Sequence, residues 1–98
     1  MATVEFNITD TSDGAFTIRE QGGGIGEMVV AIFGDCLTVY HTHVIPEAEG
    51  KGYARQLLDA MVACVRENKL WAMPLCPCVR AQFKHNPDAY ADIWKRYS

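Results

Sequence analysis

The hydrophobic pattern of this chain changes period once, at a glycine-bearing loop near its midpoint, and that switch limits what it can fold into. Before residue 50, apolar and polar residues alternate in short runs, the period-two signature of half-buried strands. After it, Ala54, Leu57, Leu58, Met61, Val62 and Val65 recur at i, i+3, i+4, i+7, i+8 and i+11. That spacing is one continuous stripe of an amphipathic helix, with Arg55, Gln56, Asp59, Arg66 and Glu67 on its other side. The chain reads as α+β.

Val4–Ile8 and Ala15–Arg19 alternate, with turn chemistry from Asp10 to Gly14 between them. Met28–Phe33 and Cys36–Val44 follow, joined by the turn Gly34-Asp35, which makes four strands in a meander. Gly22-Gly23-Gly24-Ile25-Gly26 invites a phosphate-loop reading. That reading fails, because strands flank it on both sides and no Gly-Lys-Ser/Thr follows. A mobile hairpin loop is expected there instead. The helix is expected over Gly52–Asn68. Leu70–Met73 is a short fifth strand, antiparallel, or parallel by a right-handed crossover. Two short helices are expected after it, Pro77 to about Lys84 and Pro87 to about Tyr97, the second capped by Asn86 or Asp88.

At 98 residues the chain is expected to be a single domain over 1–98. Apolar residues at 49% and charged residues at 21% place it among globular proteins, not disordered ones. No apolar run reaches the roughly 18–20 residues of a membrane span, and Met1–Glu5 lacks the features of a signal peptide, so no membrane and a cytoplasmic location are expected. A net charge of −3 disfavours nucleic acid. The charge is uneven: residues 1–50 hold eight acids and one base, residues 51–98 eight bases and four acids. An anionic ligand would meet the second half; equally, the two halves attract each other on folding. Cys36, Cys64, Cys76 and Cys78 are expected as reduced thiols. Cys76-Pro77-Cys78 has one intervening residue where zinc and redox motifs have two, and no second pair completes a site with His85, so no metal is expected.

The junction Glu49-Gly50-Lys51-Gly52-Tyr53-Ala54 joins the end of a strand to the start of the helix. Small residues at 50, 52 and 54 let a ligand approach the backbone. The free N–H groups and dipole of the helix start favour a pyrophosphate, and Lys51 adds a positive charge. The competing reading is an ordinary turn whose glycines supply positive φ.

This stretch resembles the acetyl-CoA motif of the GCN5-related N-acetyltransferases, Q/R-x-x-G-x-G/A, with Gly52 and Ala54 at its small positions and Glu49 where Gln or Arg is usual. Together with His41-Thr42-His43-Val44-Ile45-Pro46 and the stretch from Pro74-Leu75-Cys76-Pro77 through His85, Pro87 and Tyr90, it is similar to the minimal GNAT-like proteins of the YjdJ type. His85-Asn86-Pro87-Asp88-Ala89-Tyr90 is longer than the usual His-Pro-Glu-Tyr. The resemblance implies a mixed, mostly antiparallel five-stranded sheet with one main helix and two short C-terminal helices. It implies acetyl-CoA as cosubstrate, held by Gly50, Lys51, Gly52, Tyr53 and Ala54, with Val44 and Ile45 pairing by backbone with the pantetheine arm. It implies a role for Cys76 in acyl chemistry.

Cys76 has a physical case of its own. Pro77 holds it extended and suits the first helical position, which puts Cys76 at a helix N-cap where dipole and free N–H groups favour a thiolate. The competing reading is a buried cysteine in a proline-rich turn. Cys78 is expected to pack, and Cys36 and Cys64 to fill core. His41 and His43 share a strand face as possible bases, or as half-exposed surface residues; His85 is a base for Cys76 only within hydrogen-bond reach. The expected function is acetyl transfer from acetyl-CoA to an unknown acceptor, an amine, small molecule or protein. The alternatives are an acyl-CoA-binding module acting through a partner, and a thiol-redox or metal protein built on Cys76, Cys78 and His85.

Overall fold

A computed structural model describes residues 3–8, 13–20, 23–48 and 50–95. Strands β1 (Thr3–Ile8), β2 (Asp13–Glu20), β3 (Gly23–Phe33) and β4 (Cys36–Val44) form the antiparallel meander. A 3₁₀ turn (Pro46–Ala48) leads to helix α1 (Tyr53–Glu67). The chain crosses back to β5 (Trp71–Pro74), parallel to β4, and ends in α2 (Pro77–His85) and a single turn, α3 (Pro87–Tyr90). The sheet order is β1-β2-β3-β4-β5.

The helical stripe does what its period requires. Leu57, Met61 and Val65 are fully buried against Ile18, Met28, Leu37 and Val39, which alternate inward from β2, β3 and β4. Replacing one such leucine by alanine costs about 2–5 kcal/mol, several times what the exposed Arg55–Asp59 ion pair can contribute. Burial therefore fixes where α1 lies, and α1 carries the loop at its start with it.

Two expectations are corrected. Gly23–Gly26 are not a loop but the first residues of β3, paired with Glu20, Arg19 and Ile18, with Ile25 bulged out. Gly22 lies outside the described residues. The poor strand propensity of glycine yields here to the ladder, and Gly26 belongs in it because a Cβ would stand 2.8 Å from the His43 carbonyl oxygen. The last helix stops at Tyr90 instead of running toward Tyr97, which is outside the described residues. Beyond it the open edge of β5 claims the chain: Ala72 donates to Ile93 O (2.7 Å) and Lys95 donates to Ala72 O (2.8 Å). Trp94 then meets Phe83 edge-on, while Tyr90 stacks on Phe83 at 4.5 Å. Tyr90, Phe83 and Trp94 are thus core and docking residues.

Candidate functional site

β4 and β5 pair only from Cys36↔Trp71 to Val39↔Pro74. At that point the chain closes the ladder on one acceptor: Leu75 N–H (3.0 Å) and Cys76 N–H (2.9 Å) both donate to Val39 O. β5 then departs into α2, and β4 runs on with β3 alone beside it. Tyr40 is an extra residue against β3, between the pairs Val30↔Val39 and Val29↔His41, and this bulge bends β4 where the two strands part.

The opened side of β4 has a definite backbone pattern. Ile45 N–H donates to Ile25 O (2.9 Å), so Gly26 and Val44 form a pair without mutual hydrogen bonds. The N–H and C=O of Val44 therefore turn away from β3 toward the opening, and by the period of two so do those of Thr42. Ile45 does not fit the backbone role expected of it. Its amide is engaged by Ile25, its carbonyl accepts from Ala48 N–H (3.0 Å), and its side chain lines a different concavity with Arg19 and His43.

Facing this strand is the N-terminus of α1. Gly52 is its N-cap at φ 82°, and Gly50 also has φ 82°, the left-handed region that side chains avoid. A Cβ on either glycine would meet nothing within 4 Å, so the space over both is open. The first helical bond is Gln56 N–H to Gly52 O (3.1 Å), and among the described residues no side chain caps the helix. The amides of Tyr53, Ala54 and Arg55 thus lack an intrahelical acceptor. Lys51 is exposed beside them. Glu49 lies outside the described residues. Tyr53 donates its hydroxyl to the Glu20 carboxylate, tying the helix start to the end of β2. That bond, then burial, then the carboxylate charge hold the Tyr53 hydroxyl above its ordinary range.

Between β4, the start of α1 and α2 lies a cleft of 420 Å³ walled by Thr42, Val44, Gly50, Gly52, Ala54 and Cys78. A narrower cavity of 200 Å³ adjoins it through Thr42, Ala54 and Cys78 and ends on Met28, Leu58 and Val79. Arg55 and Gln82 stand at its wall. Neither cavity has a carboxylate or an imidazole among its described lining residues.

The thiols sort differently from expectation. Cys76 is the N-cap of α2, extended at φ −65° and ψ 124° with Pro77 following, as its sequence predicts. It is buried, and its sulfur contacts the Thr42 hydroxyl at 3.6 Å. Cys78, expected to pack, is exposed and lines the cleft, because position 78 falls on the α2 face opposite Thr42 and not on the Val79–Phe83 stripe. Cys36 and Cys64 are half-buried instead of core, and desolvation pushes the Cys64 thiol up. His85 ends α2, about 13 Å of helix from Cys76, so it is no base for that thiol, and the three metal-site candidates do not converge. His41 and His43 are exposed and alternate with the cleft-lining Thr42 and Val44, which places them on the opposite sheet face. Sequence reasoning passed over Thr42. Its parity with Val44 along β4 was the signal available.

The geometry has counterparts. A family model described as GCN5-related N-acetyl-transferase matches residues 15–93. A ribosomal-protein-alanine N-acetyltransferase from Brucella melitensis superposes with a TM-score of 0.69 at 21% identity, over 91% of this chain and 70% of that one. A GCN5-like protein from Staphylococcus aureus, solved by NMR, gives 0.69 at 23% identity over 96% and 90%. A ribosomal-protein alanine N-acetyltransferase from Escherichia coli gives 0.61 at 16% identity over 64% of this chain, which spans 41% of that enzyme. No curated protein sequence matches. Among the described residues no helix is long and apolar enough to cross a membrane.

Proposed function

The chain belongs to the GCN5-related N-acetyl-transferase family, and from that premise we propose that it binds acetyl-CoA in the cleft between β4, α1 and α2 and transfers the acetyl group to an amine-bearing acceptor. One observation carries the reading. The parting of β4 from β5 at Val39 exposes strand backbone beside an uncapped helix start, so a hydrogen-bonding rail and an anion cradle share one cleft. The fit is specific at both ends. Open space over Gly50 and Gly52 admits a pyrophosphate to the amides of Tyr53, Ala54 and Arg55, and Lys51 adds charge. Val44 and Thr42 offer paired N–H and C=O groups to the amide-bearing pantetheine arm, and Thr42 takes the place first assigned to Ile45.

Acetyl-CoA supplies an activated thioester. With neither carboxylate nor imidazole in the described walls, the nucleophilic side chains at the cleft are the Thr42 and Tyr53 hydroxyls and the Cys78 thiol, with Cys76 buried behind Thr42. Cys76, at the helix N-cap and against the Thr42 hydroxyl, is our candidate acyl acceptor. It takes the acetyl group by thiol–thioester exchange, in which its proton leaves with the released thiol and no oxidant is needed. The same bare walls favour a second reading, an acyl-CoA-binding module that acts through a partner. Steady-state turnover of acetyl-CoA with a panel of amines and N-terminal peptides separates the two: saturable turnover supports transfer, and tight binding without turnover supports the module. We assign residues 1–98 to one such unit, of the minimal type its sequence resembles.

A further inference from the structure

The far side of α2 carries a concavity that the acetyl-CoA reading leaves without a role. It measures 420 Å³ and is walled by Met73, Leu75 and Trp94 and by three cations, Arg80, Lys84 and Lys95. Among the described residues no carboxylate contributes to its wall. α2 divides it from the cleft: Cys78 and Gln82 line the cleft side, whereas Arg80 and Lys84 follow each by two residues, about 200° round the helix.

Lys95 Nζ stands 6.0 Å over the Trp71 ring, but no carboxylate among the described residues offsets the charge of the three cations. Among the described residues the salt bridges are Arg55–Asp59 and Arg66–Asp92, so none of the three cations is ion-paired to a described residue. Arg80 and Lys84 stand at i and i+4 on α2, where like charges destabilise a helix. The helix C-terminus offsets this for Lys84 in the last turn but not for Arg80 in the middle. Arg80 is held in place, its Nε donating to Pro74 O at 3.3 Å, and Lys95 approaches the same hollow from the edge segment that pairs with Ala72. All this occurs in a chain whose acids outnumber its bases by 12 to 9. An anion in the hollow relieves the repulsion, and the apolar wall of Met73, Leu75 and Trp94 accommodates a hydrocarbon or aromatic body attached to it.

We infer that this concavity is a second binding site, for a small organic anion with an apolar body and a carboxylate or phosphate head. The inference stands independently of acetyl-CoA binding in the cleft.

The test is an NMR titration of the full chain with phenyl phosphate and phenylacetate, with benzyl alcohol as the neutral control. Both anions should give saturable amide shifts at Leu75, Arg80, Lys84 and Lys95 and at the Trp94 indole, leaving Gly50–Ala54 unmoved. These shifts should persist in saturating acetyl-CoA. The double variant Arg80→Gln, Lys84→Gln should weaken binding about tenfold, as loss of two partly exposed charge contacts does, without lowering the melting temperature. Raised salt should weaken it further. Phenyl phosphate shifting while phenylacetate does not would narrow the head group to phosphate. Four results would each overturn the site: shifts centred on Gly50–Ala54; loss of the shifts when acetyl-CoA is added, which would make the hollow part of the coenzyme cleft; benzyl alcohol binding as tightly as the anions; or a double variant that binds as well as the parent. If acetyl-CoA fails to bind while the anion shifts remain, the proposed function falls and this inference does not.

Discussion

Cys78 lies exposed on the wall of the cleft, whereas Cys76 is sheltered behind it with its sulfur 3.6 Å from the Thr42 hydroxyl. Access and capping therefore favour different thiols. A freely diffusing alkylating agent should modify Cys78 first. Acetyl-CoA, seated along β4, should acetylate Cys76, and peptide mass spectrometry distinguishes the two marks. Cys76→Ser should abolish transfer and leave the acetyl-CoA dissociation constant unchanged, because the anion cradle sits on another element. Acetylation confined to Cys78 would move the acyl acceptor by two residues. At the cradle, Gly52 holds φ 82° at the N-cap, so Gly52→Val forces a β-branched residue into left-handed backbone. It should cost about 1–2 kcal/mol of stability by chemical denaturation and weaken acetyl-CoA binding strongly. Lys51→Ala should weaken binding by under about 1 kcal/mol, and less at high salt. A salt-independent loss would mean that Lys51 acts through the fold and not through its charge.

At the scale of elements, α1 was legible because twelve residues of unbroken period admit no other partner for the sheet, and its start was marked by glycines that only a turn or a ligand requires. The end of the chain was not legible in the same way. Pro87 opens a helix by its fixed φ, but whether that helix continues depends on an unpaired β5 edge and on a Phe83 ring, neither of which is local in sequence. The glycines of β3 misled for a related reason, since pairing with β2 all along, and with β4 from Gly26 onward, overrides a weak local propensity. The C-terminal segment has one further tie. Arg66 near the end of α1 donates to both carboxylate oxygens of Asp92 (3.1 and 3.2 Å) and to Ala89 O (2.7 Å). The Arg66 hydrogen bond, chiefly, holds the Asp92 carboxyl below the usual carboxylate range. A depressed folded-state pKa gives stability that is present in full above the ordinary carboxylate range and is lost as pH falls through the folded value. Acidification should therefore release this segment before the core, seen as faster amide exchange around Ile93–Lys95. In Asp92→Asn that acid step should disappear, and its persistence would place the tie elsewhere.

Across the whole molecule, one sheet is arranged so that its two central features serve each other. The parallel pairing of β4 and β5 ends early, and the helix that crosses between them begins at the mouth of the gap so formed. A meander alone would leave no gap, and a helix start without the gap would hold an anion but no extended arm. The strand order and the glycine turn at the start of α1 could be inferred from alternation and glycine placement. The exit of β5 at Val39 and the outward-facing backbone of Thr42 could not, because each depends on which side of β4 a backbone group faces once the Tyr40 bulge has set the register, and the exposure of Cys78 could not, because it depends on which face of α2 packs. The central claim is that acetyl-CoA occupies that gap. Titration of the isotope-labelled chain with acetyl-CoA should produce saturable amide shifts largest at Thr42–Val44 and Gly50–Arg55, with smaller ones at Cys76–Cys78. Shifts centred on Gly23–Gly26, or no saturation, would contradict it.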